Sequence, residues 1–160
     1  MSNIGPDDGA FDCSANTVAK MPDANTKMYT KLIWTALTKA NVDAFIAWEK
    51  KTYQGGETGY FYKHLLSYKD LVNGGAGKAA AAAATAKKIV DEHLKQGSKN
   101  EVNAGRDLQK AAIDKVTAKQ LDLATFTGVA NELKRMTYNN IVQSYQKQFD
   151  QFVKDGFKVK

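Results

Sequence analysis

The stretch Gly74-Gly75-Ala76-Gly77-Lys78 offers the most direct chemistry in the chain. Glycines let backbone N–H groups wrap a phosphate, and a following lysine reaches its oxygens. A nucleotide-binding loop also needs a glycine where Val72 stands and a magnesium-holding hydroxyl where Ala79 stands. No strand-like run precedes the segment, so it reads as a flexible linker. The histidines, His64 and His93, lie far apart in sequence, and neither has a metal-binding spacing such as H-E-x-x-H. Glu92 adjoins His93, but helical neighbours point about 100° apart, so the two are not expected to share a site. Cys13 is the single cysteine, which excludes a disulfide within one chain and a multi-cysteine zinc site, and no base is placed to activate it. Tyr60, Phe61, Tyr62 and Tyr68 could stack nucleic-acid bases. Phe61 and Tyr68 sit on an apolar stripe, which leaves Tyr60 and Tyr62 as the better exposed contacts. This reading expects no catalytic residue, no metal and no cofactor.

The elements that must position these residues follow from apolar spacing. The chain has 160 residues, which suits one domain with its own core, and its only prolines are Pro6 and Pro22. Residues 1–22 mix Gly, Pro, Asp, Asn and Ser without periodicity and read as an N-terminal tail or arm, leaving 23–160 as a single helical domain. Asp23 or Asn25 can cap a first helix with Met28, Leu32, Ile33, Ala36 and Leu37 on one face, and Asn41 can cap a second with Val42, Phe45 and Ile46. Gly55-Gly56 interrupts, and residues 57–72 then carry the stripe Phe61, Leu65, Tyr68, Leu71 and Val72. An alanine-rich helix over 78–96 turns Ile89, Val90 and Leu94 inward and stops at Gly97. A weaker pattern over 103–116 puts Leu108, Ala111 and Ala112 together. The strongest stripe runs from Phe126, Val129, Ala130 and Leu133 through Tyr138, Ile141, Val142, Tyr145, Phe149, Phe152 and Val153. The expected fold is an all-α bundle.

No apolar run approaches the ~20 residues that cross a bilayer, and the start, MSNIGPDDGAF, is acidic where a secretory signal is basic. A cytoplasmic protein is expected, with peripheral contact at a membrane surface as its closest approach to lipid. The net charge of +6 and a pI near 9.3 would suit a polyanion. Of the 23 basic residues only Arg106 and Arg135 are arginine, the side chain that groove reading and bidentate phosphate contacts favour. The lysines are scattered in singles and doubles, as on a solvated surface, so weak contact with anionic lipid and no specific nucleic acid is expected.

Several pieces of the chain, in order, look like the regulator of G-protein signalling (RGS) family. They are Glu57-Thr58-Gly59-Tyr60-Phe61-Tyr62 through Ser67-Tyr68-Lys69; Ala86-Lys87-Lys88-Ile89-Val90-Asp91-Glu92; Glu101-Val102-Asn103; and Met136-Thr137-Tyr138 running into Ser144-Tyr145 and Phe149. The resemblance covers about residues 28–157. It implies a nine-helix domain in which a four-helix bundle is joined to a subdomain made by the two chain ends.

Members of that family accelerate GTP hydrolysis by G-protein α subunits without reacting themselves, by gripping the switch segments in their transition-state arrangement. The resemblance therefore implies a protein-interaction module with a G-protein α subunit as partner. Its contact positions fall at Glu57 and Thr58, near Ala112, and at Met136, Asn139 and Asn140, with Lys110 on the same polar face. The family has Asn where Thr58 stands, another Asn near Ala112, Asp at Met136 and Arg at Asn139 and Asn140, so the activating positions are degenerate here. Two other readings accompany this one: a functional GTPase activator, and a structural helical protein whose basic surface binds anionic lipid or nucleic acid. A merely solvating lysine surface predicts that binding to anionic vesicles or DNA is weak and nearly gone at ~150 mM salt, as flotation and fluorescence anisotropy would show.

Overall fold

The computed structural model describes residues 24–53 and 55–160, so the tail, Cys13 and the capping position Asp23 lie outside the described residues. The described residues are helical without a strand, and no helix among them is long and apolar enough to cross a membrane. The α-helices are α1 (Ala24–Ala36), α2 (Val42–Tyr53), α3 (Glu57–Asn73), α4 (Ala79–Ile89), α5 (Arg106–Thr117), α6 (Thr127–Asn140) and α7 (Gln146–Lys154). A π-helical turn, Val90–Leu94, extends α4, and a second, Ile141–Tyr145, joins α6 to α7 without a break. The described residues thus form six continuous helices, where the resemblance implies nine.

Helix α3 carries the most continuous buried face. Phe61, Tyr62, Leu65, Leu66, Tyr68 and Lys69 are all buried, and α3 packs against α2, α4 and α6. Gly56, at φ +118°, turns the chain into α3, a backbone that glycine adopts without strain. Gly74 closes α3 by donating to Leu71 O, and the lysine-ended glycine segment becomes an exposed one-turn 3₁₀ helix, Ala76–Lys78, leading into α4.

The first helix is turned by one residue from the expected face. Tyr29, Ile33, Trp34, Ala36 and Leu37 are buried, whereas Met28 is 47% exposed and Leu32 only half-buried. Tyr29 anchors this rotation by donating its hydroxyl to Asp150 Oδ1 (2.7 Å), a bond the spacing of apolar residues does not reveal. Asn25 lies within α1 and does not cap it. The Asn41 carbonyl accepts from Phe45 N, as expected at the start of α2, but its side-chain amide donates back to Thr35 O at the end of α1 (3.0 Å).

Helix α5 also differs. Leu108 is 38% exposed and Ala111 lies outside, while Gln109 and Ala112 are buried with Ile113 and Val116 partly covered. Gln109 is drawn inward because its amide accepts from Ala104 N and donates to Leu94 O, both at 3.0 Å. A buried amide with both ends paired is tolerated where an unpaired one is costly.

Helix α2 and the C-terminal segment meet in an aromatic cluster. Trp48 packs edge-on to Phe149 (5.6 Å between ring centres) and lies beside Phe45 and Phe152, and Phe157 caps Phe152. On the long stripe Ile141, Phe149 and Phe152 are fully buried, whereas Tyr138, Val142, Tyr145 and Val153 are partly covered. An i→i+5 turn absorbs one extra residue and re-aims the helix beyond it. Truncating Phe149 to Ala in the centre of this cluster should cost ~3–5 kcal/mol in urea unfolding; a cost under ~1 kcal/mol would remove it from the core.

Candidate functional site

A hollow of about 200 Å³ opens where α2, α3, α6 and the segment before α5 meet. It is lined by Glu49 and Tyr53 of α2, Glu57 and Thr58 at the start of α3, Glu101 to Asn103, and Leu133, Met136, Thr137 and Asn140 of α6. Met136 and Asn140 are four residues apart and so share a helix face. Val102 is pinned by donating its N–H to His93 O (2.9 Å), which holds Glu101 and Asn103 at the rim.

Glu49 forms the floor. Its carboxylate accepts the Gly59 N–H (2.8 Å) and the Tyr53 hydroxyl (2.7 Å). Burial pushes the Glu49 carboxyl up to about 7, with the negative charge of Glu57 adding to the rise and the two donated hydrogen bonds opposing it. Burial and the same carboxylate raise the Tyr53 phenol.

Four of the sequence-derived positions, Glu57, Thr58, Met136 and Asn140, line this one hollow. Asn139 is half-buried one residue off the lining face. Lys110 lies in a neighbouring hollow of about 370 Å³ with Gln96, Arg106 and Gln109, and Glu101 and Asn103 border both, so the two form one continuous face. Lys110 pairs there with Asp114 (2.6 Å). Ala112 is a correction: it is buried on the inner face of α5, so its methyl packs the core and is not offered to a partner. Tyr62 is likewise buried, its hydroxyl donating to Ala130 O, because α3 is covered on the side facing α6 as well as that facing α4. Tyr60 stays half-exposed and receives a bond from Lys50 Nζ (2.7 Å). Glu49 and Tyr53 escaped the sequence reading, whereas Glu101 and Asn103 entered it within the resemblance but without a contact role. A signal for Glu49 existed, since it stands at i+3 from Ile46 and i+4 from Phe45, a charged residue on an apolar stripe.

A second cluster corrects the expectation for the histidines. His64 of α3 and His93, 29 residues on, approach to 2.8 Å between Nδ1 and Nε2, and Glu92 Oε2 stands 3.6 Å from the same His64 nitrogen. Although Glu92 and His93 are adjacent in sequence, their ligand atoms and that of His64, which enters from the neighbouring helix, lie within 4.8 Å of one another. Burial lowers the pKa of both histidines, and His93 and Lys88 lower that of His64 further.

Some of the surface lysines are paired with carboxylates: Lys39 with Asp70, Lys63 with Asp43, Lys87 and Lys95 with Asp91. Such exposed pairs add little stability, yet they leave less free positive charge for a polyanion. Comparison of the chain with protein-family models, curated proteins and solved structures finds no match in any of the three.

Folding raises the Glu49 pKa from 4.5 to about 7, so its contribution to stability is whole below the lower value and is lost as pH rises through the higher. Glu49→Gln keeps an oxygen for Gly59 and an N–H for Tyr53 and carries no charge. It should be ~3 kcal/mol more stable than the parent at pH 8 and within ~1 kcal/mol of it at pH 5, one pKa unit being worth ~1.4 kcal/mol. Urea unfolding at both pH values checks this; an equal difference at the two would show that Glu49 does not titrate on folding.

Proposed function

We propose that this chain is a non-enzymatic docking module of the RGS type that receives a switch segment of a G-protein α subunit on the face running from Thr58 and Asn140 to Lys110. The observation that carries this reading is the convergence of residues 57–58, 101–103 and 136–140 on one hollow, three segments remote in sequence. The hydroxyl of Thr58, the amides of Asn103 and Asn140 and the rim carboxylate of Glu101 offer donors and acceptors suited to an extended backbone. Met136 adds a pliable apolar contact. The join of α1 to α7, through Tyr29 with Asp150 and Gln146, supports a subdomain made by both chain ends.

Binding and activation separate in this reading. Thr58 is shorter than the asparagine that would hold a catalytic glutamine, and Met136 cannot accept a switch N–H as an aspartate would. Each missing hydrogen bond forgoes ~1–3 kcal/mol, much of it in the transition state. The module therefore holds a GTPase without greatly hastening it.

The test is interferometry against a panel of α subunits in their GDP, GTP-analogue and GDP–aluminium fluoride states, beside single-turnover GTP hydrolysis. Binding should depend on nucleotide state, fall about tenfold or more in the double variant Thr58→Arg, Asn140→Arg, and stimulate hydrolysis no more than a few-fold. Binding indifferent to nucleotide state, or to both substitutions, would overturn the docking assignment. Stimulation of tenfold or more, lost on altering Thr58 or Asn140, would make the chain a full activator.

A further inference from the structure

We propose that His64, Glu92 and His93 form a binding site for one divalent transition-metal ion of the zinc class, with a fourth coordination position open to solvent. Each residue offers one ligand atom, and these three atoms lie within 4.8 Å of one another. Two imidazole nitrogens and one carboxylate oxygen make a donor set that favours zinc, nickel or copper over calcium or magnesium, which prefer oxygen shells. Three protein ligands with a water in the fourth place are the usual composition of an open zinc site.

The orientation of His93 carries the inference. Its ring is fully buried, held edge-on to Phe61 (5.8 Å), and its Nδ1 stands 3.0 Å from Asn100 O. A carbonyl only accepts, so Nδ1 bears the proton and the lone pair of Nε2 points at His64. This is the arrangement in which a metal-ligating histidine is held, its outer nitrogen donating to a backbone carbonyl. The carbonyl is itself fixed, because Asn100 N donates to Glu92 O and Val102 N to His93 O. The π-helical turn Val90–Leu94 carries both α4 ligands, and such turns recur at functional sites.

His64 supplies the adjustable part. In a tetrahedral shell with zinc–nitrogen bonds of ~2.0–2.1 Å the two ring nitrogens stand ~3.3 Å apart. The present 2.8 Å separation reaches that value by a small swing of His64, whose side chain is 19% exposed. Lys63 and Lys88 stand near enough to His64 to oppose a dication, and the Glu92 carboxylate offsets them. A bound ion would tie α3 to α4 and to the loop through Asn100.

Titration of the full-length chain with zinc chloride by calorimetry, with thermal unfolding in parallel, tests the site. One ion per chain should bind, the unfolding midpoint should rise, and magnesium should do neither. Cobalt(II) in its place should give the intense visible absorption of a four-coordinate ion. His64→Ala should abolish binding, and Glu92→Gln, a change at a part-exposed side chain, should weaken it about tenfold or more. Cys13→Ser should leave it intact. Absence of saturable zinc binding, or binding that survives both His64→Ala and Glu92→Gln in variants that circular dichroism shows to be folded, would overturn the proposal.

Discussion

Helices α2 and α3 are tightly apposed where Gly59 lies against Ile46 and Glu49. A Cβ at Gly59 would stand 2.5 Å from Ile46 Cγ1 and 2.9 Å from Glu49 Oε1, so a larger residue would have to displace Ile46 and Glu49. The absent side chain brings the Gly59 N–H within 2.8 Å of the buried carboxylate, a charge-assisted bond that offsets part of the cost of burying it. From that contact the seat of α3 follows, and with it the placing of Phe61, Leu65 and Tyr68 in the core. Both clusters of polar residues hang from this one helix. Thr58 and His64 are six residues apart, about 120° around its axis, and so face different neighbours.

The far side of the molecule is organised by packing of another kind. Trp48 of α2 gathers Phe149 and Phe152 of α7, while Lys134 of α6 lies 4.2 Å above the Trp34 ring of α1. Aromatic contacts of this sort contribute beyond the area they bury, and a desolvated cation over an indole adds to them. The π turn at Ile141–Tyr145 lies between the α6 face that borders the hollow and the α7 face that enters the aromatic cluster. One continuous helix thereby serves two surroundings.

Several buried polar groups of this fold find their partners in the backbone. Gln109 bridges Ala104 N and Leu94 O, Tyr68 donates to Asp122 O, and His93 is held by Asn100 O. Each ties a connecting segment to a helix and fixes loops that apolar contacts alone would leave loose. Glu49 differs, because its partners moderate the burial of its charge without abolishing the cost, which its raised pKa records.

Helical class, the breaks at Gly55-Gly56 and Gly74-Gly75, the left-handed backbone of Gly97 (though the helix before it ends earlier, at Leu94) and most of the core stripe of α3 were legible in the sequence, because periodicity and glycine punctuation are local properties. The faces of α1 and α5 were not, since Tyr29 and Gln109 are turned inward by partners elsewhere in the chain. Of the candidate residues, Glu57, Thr58, Met136 and Asn140 were named from the sequence and share a hollow, but their nearness to Glu49 and Asn103 arises only from how α2, α3 and α6 pack. The histidines make the same point more sharply. Sequence spacing reports what one helix can bring together, and by that measure His64, Glu92 and His93 have nothing in common. Their meeting is decided by the packing of α3 on α4, which depends on side-chain contacts between residues remote in the chain and is written in no local pattern.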